Sequence, residues 1–291
     1  MAKLSKRFIL GNRMDRDHDD YCRHRPPQKL RKQTMAYDLA SITTGASHRP
    51  PRIVLLGVEK IGKSTFASQA DSPIFIPIKG EEGADDLDCA KFPTANSFAD
   101  VLTAITTLYT DEHDYKTVVI DSASTLEPLV WAATCTRDGA SSIEKVGGGF
   151  GKGVIEAMTE WRQIMDGLDA LRNHRGMTSI VIGHVTVKPF NDPTADSYDT
   201  YLFDVNKRAS EAFLRWSDSI LFANRRVAVK KEENGLMTKS RATSGGGPTL
   251  YTQKRPAHPG GGRGVYGHLP YEVPMSWAAY QEAIAQASQT T

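Results

Sequence analysis

A chain of 291 residues, 40% of them hydrophobic, can bury one large core; 36 Lys and Arg against 34 Asp and Glu exclude nucleic-acid binding through overall charge, leaving only local clusters. Cys22, Cys89 and Cys135 are widely spaced with no C-x-x-C pair, which argues against a disulfide framework and for a reducing compartment. No run approaches eighteen apolar residues and no signal-peptide apolar core is present, so the sequence reads as soluble, cytoplasmic and without a membrane partner.

Residues 1–34 carry ten Lys and Arg against four Asp and little apolar periodicity, which predicts a basic, disordered extension; a DNA-binding arm is the other reading. Within it, Cys22 with His18 and His24 reads as a solvated tail, not a zinc site. Met35, which opens a more ordinary lead-in over 35–50, is an alternative initiator. From 51 to 224 short β-branched runs alternate with longer amphipathic segments. Strands are expected at 53–57, 74–78, 117–121, 178–184 and 219–223, with helices at 63–70, 96–109, 153–173 and 205–216. Near-continuous apolar strands separated by helices predict an α/β core: a mostly parallel sheet flanked by helices on both faces. Residues 225–291 turn basic and Gly-rich and predict a β-hairpin or loop, then a short helix near 275–286.

Directly after the first strand, Gly57-Val58-Glu59-Lys60-Ile61-Gly62-Lys63-Ser64-Thr65 fits G-x-x-x-x-G-K-[ST]. Its strand-to-helix position lets backbone N–H groups and the helix dipole cradle phosphates. Gly57 and Gly62 permit backbone angles and close approach that a Cβ would block. Lys63 is expected on the β and γ phosphates of ATP and Ser64, not Thr65, on Mg²⁺; Lys60 stands where it either adds a cation or points to solvent. After the second strand, Glu81 or Glu82 is placed to polarise an attacking water. "TVVID" ends in Asp121, a second magnesium-side group, and Ser122 follows it in place of a helicase-type Glu. His184, at the end of the fourth strand, is placed to sense the γ-phosphate and pass its presence to the following loop. Trp161 and Met165, on the apolar stripe of 153–173, are expected in the core.

The order of these motifs resembles the RecA-like P-loop ATPases of bacteriophages, whose studied members act in single-strand annealing. The likeness runs from about Met35 to Trp277 and rests on "PPRIVLLGVEKIGKSTFA", "EEG", "VVIDS", "GFGKG", "RNHRGMTSIVIGH", "YDTYLFDVNKRASEAFLRWSDSILFAN", "YTQKRPAH" and "YGHLPYEVPMSW". It implies a RecA-like fold, Glu81 as the catalytic base with Glu82 the fallback, and a homo-oligomer. "PIKG" lengthens the approach to the acidic block relative to the family, which leaves the choice between the two glutamates open. The resemblance also implies two DNA-channel loops, corresponding here to 146–153 and 185–201. Apart from the family, the first offers glycines with Lys145 and Lys152, and the second offers Lys188 with Phe190, Tyr198 and Tyr201 for stacking single-stranded DNA. Lys207 and Arg208 resemble residues that act on a neighbouring subunit's γ-phosphate. A single-strand-binding protein is the implied partner; a nucleotide-gated adaptor that loads a replication protein with little turnover is the alternative function.

Overall fold

The computed structural model describes residues 49–193, 196–234 and 237–290, together with Ile42, Thr44 and Gly45; side chains over 227–234 and 237–245 and at 290 are not included. The chain divides into two units, Met1–Ser47 and His48–Thr291, and the second carries all the helices and strands of the described residues. The basic segment 1–34, Cys22 and Met35 lie outside the described residues.

Strands β1 (Arg52–Gly57), β2 (Pro73–Pro77), β3 (Ala90–Lys91), β4 (Thr117–Asp121), β5 (Thr178–Gly183) and β8 (Ser219–Asn234) form a parallel sheet in the order β8-β1-β5-β4-β2-β3. Antiparallel strands β9 (Met237–Tyr251), β10 (Gly261–Gly262) and β11 (Glu272–Pro274) extend it beyond β8, so the sheet is mixed but mostly parallel. Strand β8 continues past its pairing with β1 and, with β9, makes the hairpin expected after 224. A separate antiparallel ribbon pairs β6 (Val185–Phe190) with β7 (Tyr198–Phe203).

The central strands read as unbroken apolar runs because each alternates between two buried faces. On one face Val54, Leu56, Val118, Ile120 and Val181 pack with Val101 of α2 (Phe98–Thr110), Leu126 of α3 (Ala123–Asp138), Trp161 and Met165 of α5 (Met158–Ala170) and Phe213 of α6 (Lys207–Trp216). On the other, Ile53, Leu55, Val119 and Ile182 pack with Phe66 of α1 (Lys63–Ser68) and with Trp277 and Tyr280 of α7 (Trp277–Thr290). Phe66 meets the rings of Trp277 and Tyr280 edge-on, at 5.6 and 6.0 Å, and Tyr280 Oη donates to Ser219 Oγ at 2.9 Å.

The structure departs from the sequence expectation in three places. Residues 153–173 form two helices and a π turn: α4 (Lys152–Glu156), then α5 after Ala157, then Leu171–Arg175. Helix α3 was not expected at all, since Pro128 and its threonines blur any apolar stripe; Pro128 is tolerated on the exposed side. Within 185–201, expected as a loop, residues 185–190 and 198–201 belong to the paired strands β6 and β7, which find in each other the partner that neither sequence run advertises alone.

At the N-terminal ends of the strands Asp218 clamps β8 to β1. Its carboxylate accepts from Arg52 N (3.0 Å), Nε (3.1 Å) and Nη2 (3.0 Å), and pairs with Arg172 Nη2 at 3.1 Å. Burial opposes the charge, but the hydrogen bonds and charge of Arg52, with Arg172, outweigh it and hold the carboxyl below the usual range. Its contribution is complete above the unfolded carboxyl value of about 4 and is lost as pH falls through the lower folded value. The Arg52 and Asp218 side chains are 12% and 11% exposed, so Asp218→Ala takes the Nε and Nη2 partner from a buried cation that keeps Asp169, at 3.1 Å from Nη1, and also removes the pair with Arg172. We expect a loss of about 3–5 kcal/mol in urea unfolding; an unshifted midpoint would contradict the clamp.

Candidate nucleotide site

Strand order assembles the site. Because β5 lies between β1 and β4, and β2 lies beyond β4, the carboxyl ends present in sequence across the edge the loop 57–62, His184, Asp121 and Glu81. Chain order would have separated them; parallel crossovers bring them to one edge, where ligands of open α/β sheets bind.

The loop enters α1 through Gly62, whose φ of +104° is left-handed backbone that glycine adopts without cost. At Gly57 the close approach is to strand β8: a Cβ there would meet Ala223 O at 2.5 Å, so that strand by itself requires the small residue. Ile61 is buried in the core, while Glu59, Lys60 and Thr65 line the rim and are exposed. Lys63 is 6% exposed and its Nζ donates to Gly57 O and Val58 O, both at 3.0 Å. Burial lowers its pKa against the attraction of Asp121, Glu81 and Glu59. An anionic phosphate in the loop would reverse that penalty.

Ser64 Oγ donates to Asp121 Oδ2 at 2.6 Å. Burial, aided by repulsion from Glu81, raises the Asp121 pKa above the usual carboxylate range despite the Ser64 hydrogen bond and the Lys63 charge. A cation beside Asp121 would relieve it. Space exists for one: a Cβ at Gly83 would fall 2.7 Å from Ser64 Oγ and 3.6 Å from Asp121 Oδ2, so glycine keeps this corner open. Among the described residues no cluster of three or more His, Cys, Asp or Glu forms a cage for a metal. One hydroxyl and one carboxylate suit Mg²⁺, which keeps several waters and shares its coordination with phosphate oxygens.

Glu81 reaches the site through a turn. Glu81 N donates to Ile78 O at 2.9 Å across Gly80, whose φ is +95°, so the residues that lengthen the approach fold the chain back. That phase brings Glu81 into the cleft and leaves Glu82 exposed outside it. Ser122 Oγ donates to Glu81 Oε1 at 2.7 Å, and His184 Nε2 approaches the same oxygen at 2.6 Å. Burial pushes the Glu81 pKa up, but these two hydrogen bonds, with the electrostatic influence of His184 and Lys63, outweigh it and hold the carboxyl below its ordinary value. Glu81 is thus an anion, so His184 is the donor through Nε2, and Oε2 has no hydrogen-bond partner among the described residues. His184 N donates to Ser124 Oγ at 3.0 Å and its carbonyl accepts from Asp204 N at 3.0 Å, while Nδ1 is buried without a partner.

The resulting cleft of about 740 Å³ is also lined by Gly80, Gly83, Ser124, Thr125 and Asp204, none of which sequence reasoning singled out. Ser124 and Thr125 come from α3, the unmarked helix; the one available signal was Ser122-x-x-Thr125, a helix-cap spacing.

The other predicted residues lie elsewhere. Lys145 and Lys152 are exposed on either side of the glycine loop 147–151. The ribbon register puts Lys188, Phe190 and Tyr198 on one face, with the last two rings 5.5 Å apart. Tyr201 leaves that set because its ring packs on Phe222 at 5.0 Å. Lys207, 89% exposed, is 4.0 Å from Glu211, and Arg208 borders a groove with Met158, Met165 and Trp216; neither lines this chain's own cleft. Among the described residues no helix is long and apolar enough to cross a membrane.

No curated protein matches this chain. A solved structure titled "Crystal structure of the RadB recombinase" is similar over 62% of this chain and 78% of that chain, at 14% identity and a TM-score of 0.36, too loose a likeness to carry an argument. A family model described as an AAA domain matches residues 49–264, a span that holds the loop 57–62, Lys63, Ser64, Glu81, Asp121 and His184. The chain therefore belongs to this family of AAA-type P-loop domains.

Proposed function

We propose that this protein is a magnesium-dependent ATPase whose nucleotide state controls single-stranded DNA binding, and that it promotes annealing or strand exchange as a homo-oligomer, alongside a single-strand-binding protein. The observation that carries the reading is the continuous path from Glu81 through His184 into the β6–β7 ribbon. His184 precedes the first residue of β6, and its carbonyl accepts from Asp204 N, just after the end of β7. Both ends of a ribbon bearing Lys188, Phe190 and Tyr198 are therefore tied to the residue that holds Glu81.

In this reading Lys63 and the loop N–H groups hold the phosphates, and Ser64 and Asp121 hold Mg²⁺, which when bound neutralises phosphate charge. Glu81 Oε2 accepts the proton of the attacking water, with Oε1 fixed by Ser122 and His184. A γ-phosphate that draws on this hydrogen-bond set shifts His184 and with it the ribbon. Lys207 and Arg208, exposed at the start of α6, would act on the neighbouring subunit's γ-phosphate. The motif resemblance to phage RecA-like ATPases supports the annealing role.

Phosphate release measured without DNA, with single-stranded DNA and with duplex DNA tests the reading. Single strands are expected to stimulate turnover. Failure to bind single strands at low salt in any nucleotide state would overturn it, and tight ATP binding without turnover would favour the adaptor.

A further inference from the structure

Phe150 is 100% exposed, at the tip of the loop between α3 and α4. Five consecutive residues there have left-handed backbone: Gly147 (φ 62°), Gly148 (81°), Gly149 (89°), Phe150 (55°) and Gly151 (74°). Four are glycines, which adopt it freely; Phe150 bears the steric penalty of a Cβ in that region, and its ring gains nothing from burial. Glycine would relieve both penalties at once. Backbone strain of this kind persists where the surroundings impose it.

The surroundings do impose it. Val146 is fully buried beneath the loop, Gly147 N donates to Asp138 Oδ2 at 3.2 Å, and Lys152 N donates to Gly149 O at 3.2 Å. On the far side Gly153 packs so tightly that a Cβ would lie 1.9 Å from Ile143 O. Both ends are anchored, and the ring is held outward.

Charge identifies what the ring meets. Lys145 and Lys152 are exposed on the two sides of the tip. Three carboxylates flank the loop and each is directed to another group: Asp138 accepts from Gly147 N at 3.2 Å, Glu144 accepts a hydrogen bond from Ser142, and Glu156 pairs with Arg137 at 3.9 Å, while Lys145 Nζ donates, among the described residues, only to the neutral Ser141 Oγ at 3.1 Å. An aromatic face between two ammonium groups matches a nucleobase between two phosphates, and only unpaired strands offer a free base face.

We propose that Phe150 stacks on a base of single-stranded DNA while Lys145 and Lys152 contact the adjoining phosphates. This rests on the single-strand reading above and adds a residue and a binding mode to it. The test uses the full chain with ATP and two labelled oligonucleotides of equal length, oligo-dT and its abasic counterpart. Phe150→Ala is expected to bind oligo-dT about tenfold more weakly with no change for the abasic strand, since stacking needs the base. Phe150→Trp should retain binding and lose indole emission on titration with oligo-dT. Phe150→Gly should unfold at a Tm equal to or above the parent's while binding as weakly as the alanine variant.

Equal weakening towards both strands, or none towards oligo-dT, would overturn the proposal while single-strand binding itself stands. Loss of oligomer mass in light scattering with unchanged oligo-dT affinity would make Phe150 an anchor between copies and overturn it too. A parent protein that binds neither strand removes both this proposal and the reading beneath it.

Discussion

Replacing Lys63 with alanine is expected to reduce phosphate release by at least about 10²–10³-fold, the scale for deleting one preorganised charged donor from a closed site. The ammonium sits inside the loop, bonded to Gly57 O and Val58 O, where phosphate oxygens would replace those carbonyls as partners. Because the charge is carried at a burial penalty, its removal should leave the Tm within a few degrees. Calorimetric titration should show weaker nucleotide binding as well as slower turnover. Unchanged turnover would remove the loop from the mechanism.

Glu81→Gln should separate binding from chemistry. Gln preserves shape and still accepts from Ser122 and His184 through its carbonyl oxygen, so nucleotide affinity should hold while hydrolysis falls about 10²–10⁴-fold. Glu82→Gln, altering an exposed side chain outside the cleft, should leave the rate near that of the parent. Activity needs Glu81 deprotonated, and its carboxyl is held below the ordinary value, so the acid limb of the pH–rate profile should fall below the usual carboxylate range. Removing the His184 donor should move that limb upward, since one of the two hydrogen bonds that favour the anion is lost. A limb that stays put in His184→Ala would deny histidine this role, and a full rate in Glu81→Gln would deny glutamate its own.

The two glutamates also mark where sequence reasoning stops. They are adjacent, identical in type and equally placed after a strand; a one-residue difference in phase decides between them. That phase is set by the Ile78–Glu81 turn and the positive φ of Gly80, a conformational choice that composition does not display. The β6–β7 ribbon was hidden for a related reason: Thr186, Lys188 and Phe190 share a face only once β7 supplies the register. Helix α3 was hidden because Pro128 and scattered threonines obscure its buried residues Leu126 and Val130.

What the sequence by itself determined is the chemistry that depends on near neighbours. Gly62, Lys63 and Ser64 need only their spacing and a strand-to-helix turn, and Asp121 needs only the end of an apolar strand; both patterns are local, so both are legible in one dimension. What only the tertiary structure decided is which distant residues share a place. Strand order set His184 between the loop and Asp121, and packing turned α7 from an apparent appendage into the cover of the sheet's second face, with Trp277 and Tyr280 against Phe66 of the phosphate-loop helix. Periodicity says that a helix has a face to bury, but the surface it buries against is chosen by the whole chain.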